Sequence, residues 1–157
     1  MQITEAIEAQ YKEIGSLISS PEELYLIYPS GRFPWDVAQL KQLAEIRSDF
    51  TVCIVQGEIA AFANLYDAAP GVSAFIGNVI VSEKHKGKGI GKALTLHMID
   101  LCREKYRAVP HLAVFGFNAR ALLMYAGLGF VPYKAEPRKN LNGETVALIQ
   151  MKYEQTK

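Results

Sequence analysis

Three glycines at alternate positions, in Lys86-Gly87-Lys88-Gly89-Ile90-Gly91-Lys92, stand between an apolar run, Ala74 to Val81, and a helical pattern carried by Ile90, Leu94, Met98 and Leu101. No other stretch constrains the fold as much, because it joins a strand to a helix through a turn with almost no side chains. Its backbone N–H groups stay unshielded where the helix begins. Free N–H groups and the helix dipole both favour negative charge there. Lys86, Lys88 and Lys92 add positive charge around the turn. A phosphate-bearing ligand is the expected partner.

Spacing narrows the ligand. A dinucleotide fingerprint needs G-x-G-x-x-G at the first strand–helix turn of a fold, whereas this chain has G-x-G-x-G past its midpoint. A P-loop needs G-x-x-x-x-G-K-[ST], but Ala93 follows Gly91-Lys92 and Lys86 stands where the first glycine belongs. A second segment, Asn118 to Phe130, begins with a good N-cap in Asn118 and ends with Gly129, suited to the left-handed position after a helix. Tyr125 lies about two turns after Asn118 and projects from nearly the same face.

Together the two segments resemble the signatures of the GNAT superfamily of N-acetyltransferases. The first matches its pyrophosphate loop, R/Q-x-x-G-x-G/A, with lysine at position 86 in place of the usual Arg or Gln. Lysine keeps the charge and loses the planar fork. The resemblance runs from about Gln2 to Tyr153 and is strongest from Thr51 to Tyr133. It implies a single domain over residues 2–153 and an α/β fold. The sheet is expected to be mixed but mostly antiparallel, with about six or seven strands flanked by helices and splayed between the fourth and fifth strands.

It also implies acetyl-CoA as cofactor. The pyrophosphate would lie on Gly87, Lys88, Gly89, Ile90, Gly91 and Lys92, with Lys86 beside it. The pantetheine arm would run along Val79, Ile80 and Val81, and an N–H near Val79 would polarise the thioester carbonyl. Asn118 would order the arm and the helix start. Tyr125 matches the general acid, since a phenol with a pKa near 10 stays protonated at neutral pH and can protonate a departing thiolate. The reaction implied is direct attack of an amine on the thioester.

The proton acceptor stays open. Many members carry a Glu six residues before the position of Val81, and here that residue is Phe75. Asp67 and Glu83 are the alternatives, with ordered water as a third. Acceptor-site candidates are Tyr25, Tyr28, Phe33, Trp35, Asn64, Tyr66 and Asn78, with packing the better reading for Phe33 and Trp35. Small amines, polyamines, amino acids, aminoglycosides, and peptide lysines or N-termini all remain as acceptors. The rival reading is a non-catalytic acetyl-CoA-binding or sensor domain on the same fold.

Composition sets outer bounds. At 157 residues, half of them apolar, the chain can bury a core without metals or disulfides. A formal charge of +1 argues against a nucleic-acid footprint and weakly against a polycationic acceptor. Cys53 and Cys102 read as small buried hydrophobes, and His85, His97 and His111 have no partner at metal-ligand spacing, so no metal is expected. The charged N-terminus and the lack of a long apolar run argue against a membrane span and for a cytoplasmic location. A homodimer is left open.

Along the chain, helices are expected over Glu8–Ile18 and Pro21–Tyr28, then after Asp36 with Val37, Leu40 and Ala44 on one face, over Ile90–Tyr106, and after Asn118. Strands are expected over Thr51–Val55, Ile59–Tyr66, Ser73–Val81, His111–Phe115, Phe130–Ala135 and Thr145–Tyr153. Gln56-Gly57-Glu58 and Asn142-Gly143 are the hairpin turns.

Overall fold

Alternating apolar residues and tight turns assemble one seven-stranded sheet in the computed structural model, which describes residues 1–154. The strands are β1 (Gln2–Glu5), β2 (Ser48–Val55), β3 (Glu58–Ala69), β4 (Ser73–Val81), β5 (Val109–Phe115), β6 (Phe130–Lys139) and β7 (Thr145–Tyr153). Their order is β1-β2-β3-β4-β5-β7-β6. Gln56 and Gly57, both at positive φ, form the two-residue turn between β2 and β3.

Every neighbouring pair is antiparallel except β4 and β5. These two pair only from Ser73↔Val109 to Ile76↔Leu112. Beyond that vertex, β4 stays with β3 and β5 stays with β7, so a gap opens between the two strands. This is the splay expected from the sequence.

Alternation along β3 separates two cores. Ala61, Ala63 and Leu65 face a helix over Ile90–Lys105, meeting its Leu94, Met98, Ile99 and Cys102. The small alanines let that helix lie close to the sheet. Phe62 points the other way, with Val52 and Ile80, toward three shorter helices: α1 (Tyr11–Gly15), α2 (Pro21–Ile27) and α3 (Val37–Ile46). The long helix is therefore α4, and α5 spans Ala119–Leu128. Burying a side chain such as Leu40 or Leu94 contributes about 1.5–3 kcal/mol, so both faces hold the sheet.

Caps follow the sequence. Ser20, Asp36 and Asn118 accept from the N–H groups of Glu23, Gln39 and Ala121 at 3.0, 3.0 and 3.4 Å. Four details differ from expectation. The segment Glu8–Ile18 is a 3-10 turn over Glu8–Gln10 followed by α1, which stops at Gly15. A Cβ on Gly15 would lie 2.0 Å from the Trp35 carbonyl oxygen, so glycine lets the Trp35 backbone cross there. On α3 the buried residues are Gln39, Leu40 and Leu43, whereas Ala44 is exposed. β1 is added by pairing with β2 across about fifty residues, a contact that four residues cannot announce. β6 runs on to Lys139 through Pro132 and Pro137, which an edge strand tolerates.

Candidate active site

The loop between β4 and α4 supplies one wall of a cleft. Gly87 and Gly89 both adopt φ of 78°, a left-handed conformation that a side chain resists. A Cβ on Gly89 would touch nothing within 4 Å, so that glycine meets a backbone requirement and leaves the turn open to a ligand. Gly91 serves packing instead: its Cβ would lie 3.3 Å from Val81 and 3.7 Å from the Met124 sulfur. The first turn of α4 thus sits against the end of β4 and against α5. Gly89, Ile90, Gly91 and Lys92, where the helix has N–H groups without intrahelical partners, line the cleft.

The cleft has a volume of about 300 Å³. Every residue that the sequence assigns to the cofactor, together with Tyr125, lines it, with the exception of Lys88. These are Val79, Ile80, Val81, Lys86, Gly87, Gly89, Ile90, Gly91, Lys92, Asn118 and Tyr125. Lys88 is exposed and does not line the cleft. Sequence reading missed Glu23, Leu26 and Ile27 of α2, which close the opposite wall, and also His85, Arg120, Ala121 and Met124. Arg120 had a usable signal, since it is a cation in the first turn of the helix that Asn118 caps.

A bulge shapes the strand beside the gap. Asn64 pairs with Gly77 and Phe62 with Ile80, so Asn78 and Val79 together oppose Ala63. Asn78 takes φ of 48° to do this. A bulge releases one residue from the ladder and re-aims the backbone, here at the edge of the splay. Tyr125 reaches the cleft from α5. It is 7% exposed, its ring packs edge-on to Phe130, and its hydroxyl makes no hydrogen bond among the described residues. Burial pushes its phenol pKa upward, so the group is a neutral donor at physiological pH.

The cations differ in availability. Lys86 is bound on both sides, by Glu83 at 2.8 Å and by Glu23 at 3.1 Å. The Glu83 hydrogen bond is the main cause of its raised pKa, with burial opposing and Glu23 assisting. Glu23 also accepts from the Ser19 N–H at 2.7 Å, so it is anchored. Arg120 lies beside the turn, 3.7 Å from where a Gly87 Cβ would stand. The group that the sequence singled out is thus internally compensated, and Arg120 and Lys92 are freer to meet an anion.

Asp67 and Glu83, the proposed bases, are exposed and do not line the cleft, and Glu83 is committed to Lys86. Phe75 pairs with His111 across the β4–β5 junction, and its ring lies between His111 and Tyr66 at 4.9 and 5.2 Å. His111 bonds Tyr133 through Nδ1 at 2.8 Å, and burial, helped by Lys152, lowers its pKa. Among the acceptor candidates, Trp35 is buried in the α1–α3 core and Phe33 is 42% exposed. Tyr25 stacks on Phe115 at 4.9 Å and donates to the Lys139 carbonyl, which ties α2 to β5 and β6. Tyr28, Asn64, Tyr66 and Asn78 converge on one side chain that the sequence did not flag, Arg47. Cys53 and Cys102 are buried away from the cleft, and burial, with Asp49 nearby, pushes the Cys102 thiol up to about 12. Among the described residues no helix is long and apolar enough to cross a membrane.

Comparison with known proteins agrees with this architecture. The model of the acetyltransferase (GNAT) family matches residues 14–130, and the chain belongs to that family. The chain is 33% identical over 81 residues to a streptothricin acetyltransferase of Streptomyces lavendulae. That match spans 52% of this chain and 43% of the relative, less than half of its length. Among solved structures, a ribosomal-protein-alanine N-acetyltransferase from Brucella melitensis superposes with a TM-score of 0.79 at 18% identity, covering 97% of this chain and 98% of the other. A spermidine N-acetyltransferase from Vibrio cholerae gives 0.77 at 16% identity, covering 98% and 94%. At such identities the likeness establishes the fold.

Proposed function

We propose that the chain is an acetyl-CoA-dependent N-acetyltransferase acting on a small-molecule or peptide amine. One observation carries this reading: a single cleft joins an anion-binding turn at one end to an unpaired, neutral phenol at the other, across a splayed strand edge. The residues present fit the cofactor. The open glycine turn, the α4 N-terminus, Arg120 and Lys92 suit a diphosphate, and Val79, Ile80 and Val81 offer a strand edge to an extended amide-bearing arm. Asn118 holds the start of α5 and so fixes where Tyr125 projects. When bound, acetyl-CoA supplies an activated thioester.

The chain's own groups then do three things. The bulged backbone at Asn78–Val79 presents an N–H that stabilises negative charge developing on a carbonyl oxygen. Tyr125 holds its proton against ionisation and delivers it to a thiolate leaving group. The apolar walls, Leu26, Ile27 and Met124, limit water. Removal of the amine proton falls to solvent, since Asp67, Glu83 and His111 all lie outside the cleft lining.

A non-catalytic CoA-binding domain is the second reading, favoured by Phe75 in place of a carboxylate. Thiol release from acetyl-CoA across a panel of amines, with mass detection of the acetylated product, separates the two. Turnover establishes the enzyme. Tight acetyl-CoA binding with no product from any amine class establishes the binding domain.

A further inference from the structure

Arg47, just beyond the end of α3, crosses over β4 on the face opposite α4. A Cβ added to Gly77 would lie 2.4 Å from its Nη1, so the guanidinium rests directly on the backbone next to the Asn78–Val79 bulge. Nη1 donates to Asn78 Oδ1 at 2.8 Å and to Asn64 Oδ1 at 3.3 Å. The Asn78 amide is fixed in turn by donating to the Ile27 carbonyl at 2.7 Å. Tyr66 lies 4.1 Å and Tyr28 5.6 Å from the guanidinium carbon. Among the described residues no carboxylate comes within 4 Å of it, and Nε and Nη2 make no hydrogen bond. Burial lowers the Arg47 pKa, and Tyr66, Tyr28 and more distant Asp67 oppose that only in part.

The arrangement leaves a rigid fork with one edge used and one edge free. The free Nε–Nη2 edge has the geometry that accepts both oxygens of a carboxylate. Neutral groups touch it and Asp67 acts only from beyond 4 Å, so a protonated polyamine meets a cation that no ion pair neutralises. The fork also stands beside the bulge that the catalytic reading assigns to the reacting carbonyl. We propose that Arg47 anchors a carboxylate on the acceptor, and that the acceptors are amines of the amino-acid class rather than polyamines. This rests on the acetyltransferase reading for its consequence in turnover, and not for binding.

The test uses matched pairs that differ by one carboxylate: lysine against cadaverine, and phenylalanine against phenethylamine. Calorimetric binding to the CoA-loaded protein and acetylation kcat/KM are measured for the wild type, Arg47→Gln and Arg47→Lys. Charge-assisted hydrogen bonds of this kind give discrimination on the order of 10–100-fold in favour of the carboxylate-bearing member. Arg47→Gln removes that preference, the carboxylate-bearing member losing about 10–100-fold more than its decarboxylated partner, and Arg47→Lys retains part of it. Equal binding of both members by the wild type, or preference for the decarboxylated ones, overturns the proposal even if Arg47→Gln fails to fold. An equal loss for both members in a folded Arg47→Gln also overturns it, leaving Arg47 a buttress of the bulge. Failure of the enzymatic reading looks different: no product from any amine, with the binding preference still measurable.

Discussion

The two sides of the splayed strand pair were built by different kinds of information. On the α4 side, the cofactor wall comes from a contiguous loop whose glycines, lysines and first turn of the following helix all fall within a dozen residues. On the α2 side, Arg47, Asn64, Asn78, Tyr66 and Tyr28 come from separate elements and meet only through tertiary packing. On the proposed reading the first side binds through backbone geometry, which local sequence dictates, and the second selects through side chains, which only the fold brings together. This contrast explains why the reaction class is readable while the acceptor is not.

Tyr125→Phe separates chemistry from binding on the first side and carries the largest expected effect. The ring and its packing on Phe130 are retained, so the domain stays folded and binds acetyl-CoA as before. Loss of a general acid lowers kcat by about 10²–10⁴-fold, with little change in cofactor affinity. Steady-state rates with a working acceptor, beside an acetyl-CoA titration, check this. A rate near wild type, with chemistry limiting in both proteins, removes Tyr125 from the reaction.

Gly77→Ala attacks the second side through the backbone. The new methyl would sit 2.4 Å from the Arg47 guanidinium and 2.8 Å from the Tyr66 ring. Overpacking of this kind costs about 1–3 kcal/mol, and the side chain that yields is Arg47. Chemical denaturation should show that loss, with acetyl-CoA affinity unchanged because the loop is untouched. A variant as stable as wild type would mean that Arg47 swings aside freely and is no fixed anchor.

The same division governs what the sequence could disclose. Turns and caps were legible because each depends on its own few residues: Gln56-Gly57, Ser20 with Pro21, Asp36, Asn118 and Gly129. The splay followed from the family resemblance. β1 was not legible, since its four residues are defined by pairing with Thr51 to Ile54. Nor was the compensation of Lys86, because Glu23 lies sixty-three residues away on α2. The bulge at Asn78 was hidden for a related reason: an asparagine at positive φ within a strand reads as a minor interruption until its partner Ala63 is known.

Gly89→Val returns to the first side with a smaller effect. Its side chain would meet no neighbour, so the cost is the left-handed backbone itself, about 1–2 kcal/mol for a residue with a Cβ. A β-branched group would also shield the N–H groups of the turn. Acetyl-CoA affinity is expected to fall more than thermal stability does. Unchanged affinity in the folded variant would detach the loop from the cofactor.

The smallest effect is expected from Lys86→Ala, and it sharpens the contrast between compensated and free charge. Lys86 faces Glu23 and Glu83 and would have to leave them to meet a phosphate, so its removal should weaken acetyl-CoA less than about fivefold. Arg120→Ala should cost more, since that guanidinium stands at Gly87 and needs no such exchange. Both losses should shrink as salt rises, because exposed charges are screened within about 8 Å at physiological ionic strength. Glu23→Gln supplies the internal control: by removing one of the two carboxylates that hold Lys86 it should raise affinity, and the gain should vanish when Lys86 is also alanine. Calorimetric titration of acetyl-CoA at low and high salt measures all four proteins. If Lys86→Ala costs as much as Arg120→Ala at both salts, then Lys86 abandons its carboxylates on binding, and α2, through Glu23, becomes an element released by the cofactor.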